Sequence, residues 1–209
     1  VAFVFAGQGP QWFAMGRQLF EREPVYRVTV ERVDQVVREL GGWSLLEELD
    51  RDETTTRLFD TEIGQPAIFA LQAGLVDLWR ARGIAPAGVV GHSVGEVAAA
   101  YAAGIYDLET AARVVFFRAK PMQAAKDGGK MLAVEAPPER AEELLRGREG
   151  RVSLAAVNGP TNITFSGETR AVEDLARELE QKEIFCRLLR GTYAFHSAQM
   201  TPFQDTVRE

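Results

Sequence analysis

The chain has 209 residues and a formal net charge of −6, and 46% of its residues are hydrophobic and 26% are charged. This balance is typical of a globular protein, and the length suffices for one domain or for a main domain with a small insertion. The acidic charge argues against a nucleic-acid partner, because phosphate binding requires clustered Lys and Arg residues.

The cellular setting can also be predicted from the sequence. No stretch approaches the roughly 20 apolar residues of a membrane span, and the first residues lack the pattern of a signal peptide. The single cysteine, Cys186, excludes an internal disulfide and suits a reducing compartment. We therefore expect a cytoplasmic protein without a membrane partner.

In the first half of the chain, short apolar strands alternate with helical patterns. Gly83 and Gly104 end two of the helices, and Asp107 can cap the helix that follows it. Pro121 should kink that last helix or end it. The predicted strands are 1–5 and 87–90, and helices are predicted up to about residue 50 and at 65–82, 94–103 and 108–118.

The second half of the chain has a different pattern, in the order strand, helix, strand, strand, helix, strand. This order is typical of the split βαβ, or ferredoxin-like, unit. We predict a small ferredoxin-like subdomain at 130–190, inserted into a core formed by residues 1–129 and 191–209. Its predicted strands are 130–135, 152–157, 163–166 and 185–189, and its helices are 138–146 and 170–182.

Ser93 is the first candidate for chemistry, in the run Gly91-His92-Ser93-Val94-Gly95. The run follows an apolar strand and precedes an alanine-rich helix, which is the context of a nucleophile elbow that exposes the serine oxygen. The helix N-terminus would direct N–H groups at a negative oxygen formed there. We predict that Ser93 is a nucleophile; the alternative is an ordinary glycine-rich turn.

A serine hydroxyl needs a base, and the chain has two histidines. His92 is adjacent to Ser93 on the turn, so its side chain should diverge and pack or hydrogen-bond within the turn. His196 follows the inserted subdomain and can approach the elbow from the other side, so it is the predicted base. The alternative is a lone histidine in an aromatic patch, and spacing alone does not identify the carboxylate that would orient it.

Arg118 follows a strongly apolar run and could therefore be partly buried. A guanidinium offers a two-pronged donor that suits a free carboxylate on a ligand. The alternative is a solvated arginine at a helix end.

These residues together resemble the malonyl-CoA:acyl-carrier-protein transacylase family, and within it the acyltransferase domains of polyketide synthases. The matching pieces occur in the family's order over nearly the whole chain. They are Phe5-Ala6-Gly7-Gln8-Gly9, Gln65-Pro66-Ala67, Gly91-His92-Ser93-Val94-Gly95-Glu96, Arg118 with Met122-Gln123, and Tyr193-Ala194-Phe195-His196.

The resemblance implies an α/β fold with a hydrolase-like core, a parallel sheet and a ferredoxin-like insert. It implies that Ser93 takes the acyl group from coenzyme A, that His196 acts as base and then acid, and that Arg118 holds the free carboxylate of malonyl-CoA or methylmalonyl-CoA. The backbone N–H groups of Gln8 and Val94 would form the oxyanion hole. Further residues near the substrate would be Gln65, Met122, His92, Tyr193 and Phe195.

The resemblance also implies the partners. The acyl group would pass to the phosphopantetheine thiol of an acyl carrier protein, within a synthase that contains neighbouring domains. No metal and no bound cofactor would be needed. Tyr193 is typical of methylmalonyl-type loops and Phe195 of malonyl-type loops, so we favour malonyl, because Phe195 should narrow the space near the α-carbon.

Two other functions fit part of the pattern. A serine esterase or thioesterase would share the elbow and the histidine, but would have no use for a buried Arg118. A catalytically silent structural domain of a synthase is the second alternative. The chain begins within an apolar run and without Met, so we expect a fragment. The resemblance implies that a further C-terminal segment, which in the family supplies the partner that orients the histidine, is missing.

Overall fold

The computed structural model describes residues 1–203, and the chain divides into two compact units, Val1–Gln123 and Ala124–Glu209. The last part of the predicted core, residues 204–209, lies outside the described residues. Contacts group residues 191–203 with the second unit. The predicted return of residues 191–209 to the core stays a prediction.

The first unit contains a parallel two-stranded sheet and six helices. Strand β1 (Ala2–Phe5) pairs with β2 (Gly88–Gly91), so that Phe5 lies opposite Gly91 at the carboxyl edge. The sheet thus ends where the Ser93 turn begins. The helices are α1 (Arg17–Arg22), α2 (Pro24–Gly41), α3 (Leu45–Asp50), α4 (Thr61–Ala81), α5 (Gly95–Ala102) and α6 (Leu108–Ala124).

Helix α4 lies at the centre of the core of this unit. Its residues Phe69, Ala70 and Ala73 have no exposed surface. The sequence placed its start at residue 65, but it begins at Thr61, because the Asp60 carbonyl accepts from the N–H groups of Ile63 and Gly64. Pro66 therefore lies inside the helix, where its missing N–H costs one backbone hydrogen bond.

Helix α6 carries Arg118. It begins where predicted, since the Asp107 carboxylate accepts from the Thr110 N–H at 2.7 Å and so caps the first turn. It does not end at Pro121 but continues to Ala124. A proline near a helix end removes one backbone bond without ending the helix.

The second unit has the predicted ferredoxin-like topology. The elements are β3 (Lys130–Val134), α7 (Ala141–Leu145), β4 (Val152–Gly159), β5 (Asn162–Gly167), α8 (Thr169–Gln181) and β6 (Cys186–Leu188). The four strands form an antiparallel sheet in the order β4-β5-β3-β6, so β5 and β3 are the central strands. Strands β4 and β5 are joined by a tight turn, because Gly159 pairs with Asn162.

An amphipathic helix covers this antiparallel sheet. Helix α8 buries Val172, Leu175 and Leu179 in the cluster that contains Leu132 of β3 and Phe165 of β5. The three helix positions recur at the spacing of one helical face, which explains why periodicity predicted this helix well. The fold class, an α/β chain with a parallel sheet and a separate ferredoxin-like sheet, is confirmed.

The described residues contain neither a membrane-spanning helix nor a metal-binding cluster. None of the helices within residues 1–203 is both long and apolar enough to cross a membrane. In the same range, no group of three His, Cys, Asp or Glu side chains is arranged to hold a metal ion.

Candidate active site

Ser93 lies in the sharp turn between β2 and α5, and its backbone is left-handed, with a φ of 56°. This conformation costs a non-glycine residue about 1–3 kcal/mol, so the surrounding structure must enforce it. The His92 N–H donates to the Phe5 carbonyl at 3.0 Å, and the Glu96 N–H donates to the Ser93 carbonyl at 3.1 Å. These two bonds fix the chain on both sides of Ser93.

The glycines around Ser93 are required by the close approach of three backbone segments. A Cβ on Gly91 would lie 2.3 Å from the Gly95 carbonyl oxygen, and a Cβ on Gly95 would lie 2.4 Å from the Phe5 carbonyl oxygen. A Cβ on Gly7 would lie 2.9 Å from both His92 Nδ1 and the His92 carbonyl oxygen. The loop after β1 therefore packs directly against the Ser93 turn.

Arg118 reaches Ser93 from helix α6. One guanidinium nitrogen donates to Ser93 Oγ at 3.0 Å, and the other donates to Gln65 Oε1. Burial lowers the pKa of Arg118, and the charge of Glu96 partly opposes this effect. An arginine still remains protonated in proteins, so the site holds a partly desolvated positive charge.

The acceptors around this guanidinium are neutral. Both of its hydrogen bonds go to an amide or a hydroxyl oxygen, and no Asp or Glu within residues 1–203 lies within salt-bridge distance of it. Glu96 acts on it only through its charge, and a largely buried cation without a directly bonded anion is costly. The site is therefore electrostatically suited to a ligand that brings a negative charge.

Gln65 is almost completely buried and connects Arg118 to the loop after β1. Its Nε2 donates to Gln8 Oε1 at 3.1 Å and lies 3.7 Å from Met122 Sδ. Gln8 Nε2 donates in turn to Thr61 Oγ1 at 3.2 Å. The structure thus brings together five residues of the first unit that the sequence singled out: Ser93, Arg118, Gln65, Gln8 and Met122.

The loop that carries Gln8 is held by two further glutamines. Gln72 Nε2 donates to the Ala6 carbonyl at 2.8 Å, and Gln11 Oε1 accepts from the Gly9 N–H at 2.7 Å. Within residues 1–203, the backbone N–H groups of Gln8 and Val94 donate to no protein acceptor.

The predicted site residues of the second unit belong to the segment after β6. His196 is exposed and has a left-handed backbone with a φ of 59°. Tyr193 is buried, and its ring stacks on Phe195 with 4.8 Å between centroids and 11° between planes. The Ser197 hydroxyl donates to the Ala194 carbonyl at 2.6 Å, which fixes the turn on which His196 lies.

Three residues that matter for this geometry were not predicted: Thr61, Gln11 and Gln72. Each is a buried polar residue. A sequence alone does not show which polar residues are buried, because their burial depends on distant residues that pack against them. Thr61 is the first residue of α4, directly after the N-cap residue Asp60. His92, in contrast, lies on the turn as predicted.

Residues 2–209 match the family described as the acyl transferase domain. The chain belongs to this family. Among its relatives, the hybrid PKS-NRPS synthetase pynA of Aspergillus niger is 42% identical over 217 residues, which cover 100% of this chain and 6% of the synthetase. The polyketide synthase GfsE of Streptomyces halstedii is 40% identical over 212 residues, which cover 99% of this chain and 6% of the synthase. This acyltransferase domain thus spans a small part of these relatives.

Solved structures agree with the family and the fold. The acyltransferase domain from the second module of the salinomycin polyketide synthase is 40% identical, with a TM-score of 0.90 over 100% of this chain and 48% of that one. The malonyl-CoA:ACP transacylase of Synechocystis sp. is 31% identical, with a TM-score of 0.83 over 99% of this chain and 67% of that one. The predicted resemblance to polyketide synthase acyltransferase domains is confirmed.

The Gly91→Ala substitution tests whether backbone contact shapes the Ser93 turn. We expect a local destabilisation of about 1–3 kcal/mol, because the new methyl group would overlap the Gly95 carbonyl. Hydrogen exchange of peptides covering residues 92–102 in the full chain measures this local stability. Gly88→Ala in the same strand is the matched control, because a Cβ there meets nothing within 4 Å. Equal exchange rates in the two variants would contradict the argument.

Proposed function

We propose that this acyltransferase domain loads an extender unit from coenzyme A onto an acyl carrier protein in polyketide biosynthesis, through an ester on Ser93. The observation that carries the proposal is the Arg118 guanidinium, which donates to Ser93 Oγ and Gln65 Oε1 and has no carboxylate in hydrogen-bond contact within the described residues. A malonyl group attached to Ser93 would place a free carboxylate within reach of this cation. A carboxylated acyl group is therefore the substrate class that the site suits best.

In the first half-reaction, Ser93 Oγ attacks the thioester carbonyl and His196 takes the hydroxyl proton. Gln8 and Val94 donate their free backbone N–H groups to the oxygen that becomes negative in the tetrahedral intermediate. The carbon–sulfur bond then breaks, and the coenzyme A thiolate leaves with the proton from His196. The result is a malonyl ester on Ser93.

In the second half-reaction, the phosphopantetheine thiol of the carrier protein takes the place of coenzyme A. Its sulfur attacks the ester carbonyl while His196 accepts the thiol proton, and the carbon–oxygen bond breaks. Ser93 recovers the proton from His196. The proposed reaction uses no metal and no bound cofactor, since the pantetheine arms belong to coenzyme A and to the carrier.

Malonyl is the proposed extender unit, in preference to methylmalonyl. Phe195 is held in place by its stacking on the buried Tyr193 ring, so the loop presents a fixed aromatic surface. In the proposed complex this surface narrows the space beside the α-carbon. One methyl group in an apolar pocket changes specificity by only about 1–3 kcal/mol, so we expect a preference rather than exclusion.

A hydrolase for neutral esters is the alternative with the same serine and histidine. The environment of Arg118 argues against it, because such a substrate would leave the partly buried guanidinium without an anionic partner. The carrier thiol is the acceptor in our proposal, and the neighbouring domains of the synthase would supply it.

Ser93→Ala should abolish loading, because no other residue would carry the ester. The full chain is mixed with malonyl-CoA and digested, and the mass of the peptide containing Ser93 is measured. Ser153→Ala, on strand β4, serves as the matched control and should load normally. A malonyl adduct that persists in Ser93→Ala would contradict the assignment of the nucleophile.

Arg118→Ala should reduce malonyl loading selectively. Loss of one partner of a buried charged pair costs about 2–5 kcal/mol, so we expect kcat/KM for malonyl-CoA to fall by about 30-fold or more. Acetyl-CoA, which lacks the carboxylate, should load equally well or better. The ratio of the two kcat/KM values is the measurement.

Arg113→Ala is the matched control for this prediction. Arg113 is on the same helix, is half exposed and pairs with Glu39 on the surface. Its removal should leave the ratio of malonyl to acetyl loading unchanged. Equal losses for both acyl groups in Arg118→Ala would instead indicate that Arg118 has a structural role only.

A further inference from the structure

Thr61 ends a chain of side-chain hydrogen bonds that begins at Ser93. Arg118 donates to Ser93 and Gln65, Gln65 donates to Gln8, and Gln8 donates to Thr61. Thr61 is the first residue of α4 and has no exposed surface. Its hydroxyl accepts the last donor of this series of hydrogen bonds, in a bond that is partly buried.

The direction of every bond in the chain follows from the cation at one end. Arg118 can only donate, so Gln65 must present its oxygen to it and its NH₂ group to Gln8. Gln8 must then present its oxygen to Gln65, and its own NH₂ group is left to find an acceptor. Thr61 Oγ1 is that acceptor, at 3.2 Å.

Removing this acceptor would disturb every hydrogen bond in the series from Thr61 to Arg118. With no acceptor at position 61, the Gln8 NH₂ group would be unpaired, or the amide would turn and face the NH₂ group of Gln65. If Gln65 also turned, its NH₂ group would face the Arg118 guanidinium, where two donors repel each other. Either outcome weakens the support of the guanidinium, because a donor that is even partly buried is unfavourable without an acceptor.

We propose that Thr61 is a positioning residue that orients Arg118 through Gln8 and Gln65 and so determines the selectivity of the site for carboxylated acyl groups. The inference rests on the proposed function of Arg118. Thr61 does not touch the acyl group, since three side chains lie between it and Ser93 in the hydrogen-bonded chain. Its influence is therefore expected in the choice of substrate.

The loop after β1 gives Thr61 a second influence that must be separated from the first. The Thr61 hydroxyl also anchors the Gln8 side chain, and the Gln8 backbone N–H belongs to the proposed oxyanion hole. A shift of this loop would slow the transfer of every acyl group equally. Loss of Arg118 orientation would slow only the transfer of carboxylated groups, so the ratio of malonyl to acetyl transfer separates the two effects.

The test compares Thr61→Val with Thr61→Ser in the full chain. Valine retains the shape of threonine without an acceptor, whereas serine retains the acceptor without the methyl group. The kcat/KM values for loading Ser93 are measured with malonyl-CoA and with acetyl-CoA. We expect Thr61→Val to lower the ratio of malonyl to acetyl loading by about 10-fold, and Thr61→Ser to keep it within about threefold of the wild-type ratio.

Each other outcome overturns the inference. A wild-type ratio in Thr61→Val, or equal losses in the valine and serine variants, would show that Thr61 acts by packing alone. If Thr61→Val does not fold, Gln8→Leu, at a half-buried loop position, interrupts the chain one residue closer to Arg118. An unchanged ratio in Gln8→Leu would also overturn the inference.

The wild-type protein separates this inference from the function on which it rests. If wild type loads malonyl on Ser93 and the variants keep its ratio, the role of Thr61 fails and the function stands. If wild type loads neither acyl group, the proposed function fails and the role of Thr61 fails with it.

Discussion

The hydrogen bond from Arg118 to Ser93 is the interaction on which the candidate site depends. A partly buried guanidinium requires acceptors, and here they are the serine hydroxyl and the Gln65 amide oxygen, both neutral. The protein therefore supplies neutral hydrogen-bond acceptors to the cation, and Glu96 acts on it only through its charge. This arrangement suits a ligand that supplies the missing negative charge at the place where an acyl group would be attached.

The backbone around Ser93 provides the rigidity that this arrangement needs. Strand β2, the loop after β1 and the start of α5 meet so closely that Gly91 and Gly95 have no room for a Cβ atom. These segments hold the left-handed backbone of Ser93, so the direction of its Cα–Cβ bond is fixed at the turn. Helix α4 supports the site through two glutamines. Gln65 accepts a hydrogen bond from Arg118, and Gln72 donates one to the Ala6 carbonyl in the loop after β1.

The sequence predicted those parts of the structure that are local. The glycine pattern around Ser93 and the strand and helix that flank it reflect backbone sterics, and the face of α8 reflects helical periodicity. It did not predict the start of α4, where a backbone carbonyl at Asp60 adds a turn before the proline. Nor could it predict Thr61 as the partner of Gln8, because that bond joins residues 53 positions apart. Long-range polar contacts depend on packing, which a single sequence does not encode in any local pattern.

The most direct test of the account is a structure of the full chain with malonyl trapped as the ester on Ser93. The free carboxylate should accept hydrogen bonds from both terminal nitrogens of Arg118. These bonds replace the one to Ser93 Oγ and partly replace the one to Gln65. A carboxylate directed away from Arg118 into solvent, with the guanidinium still bonded as in the free domain, would contradict the central claim.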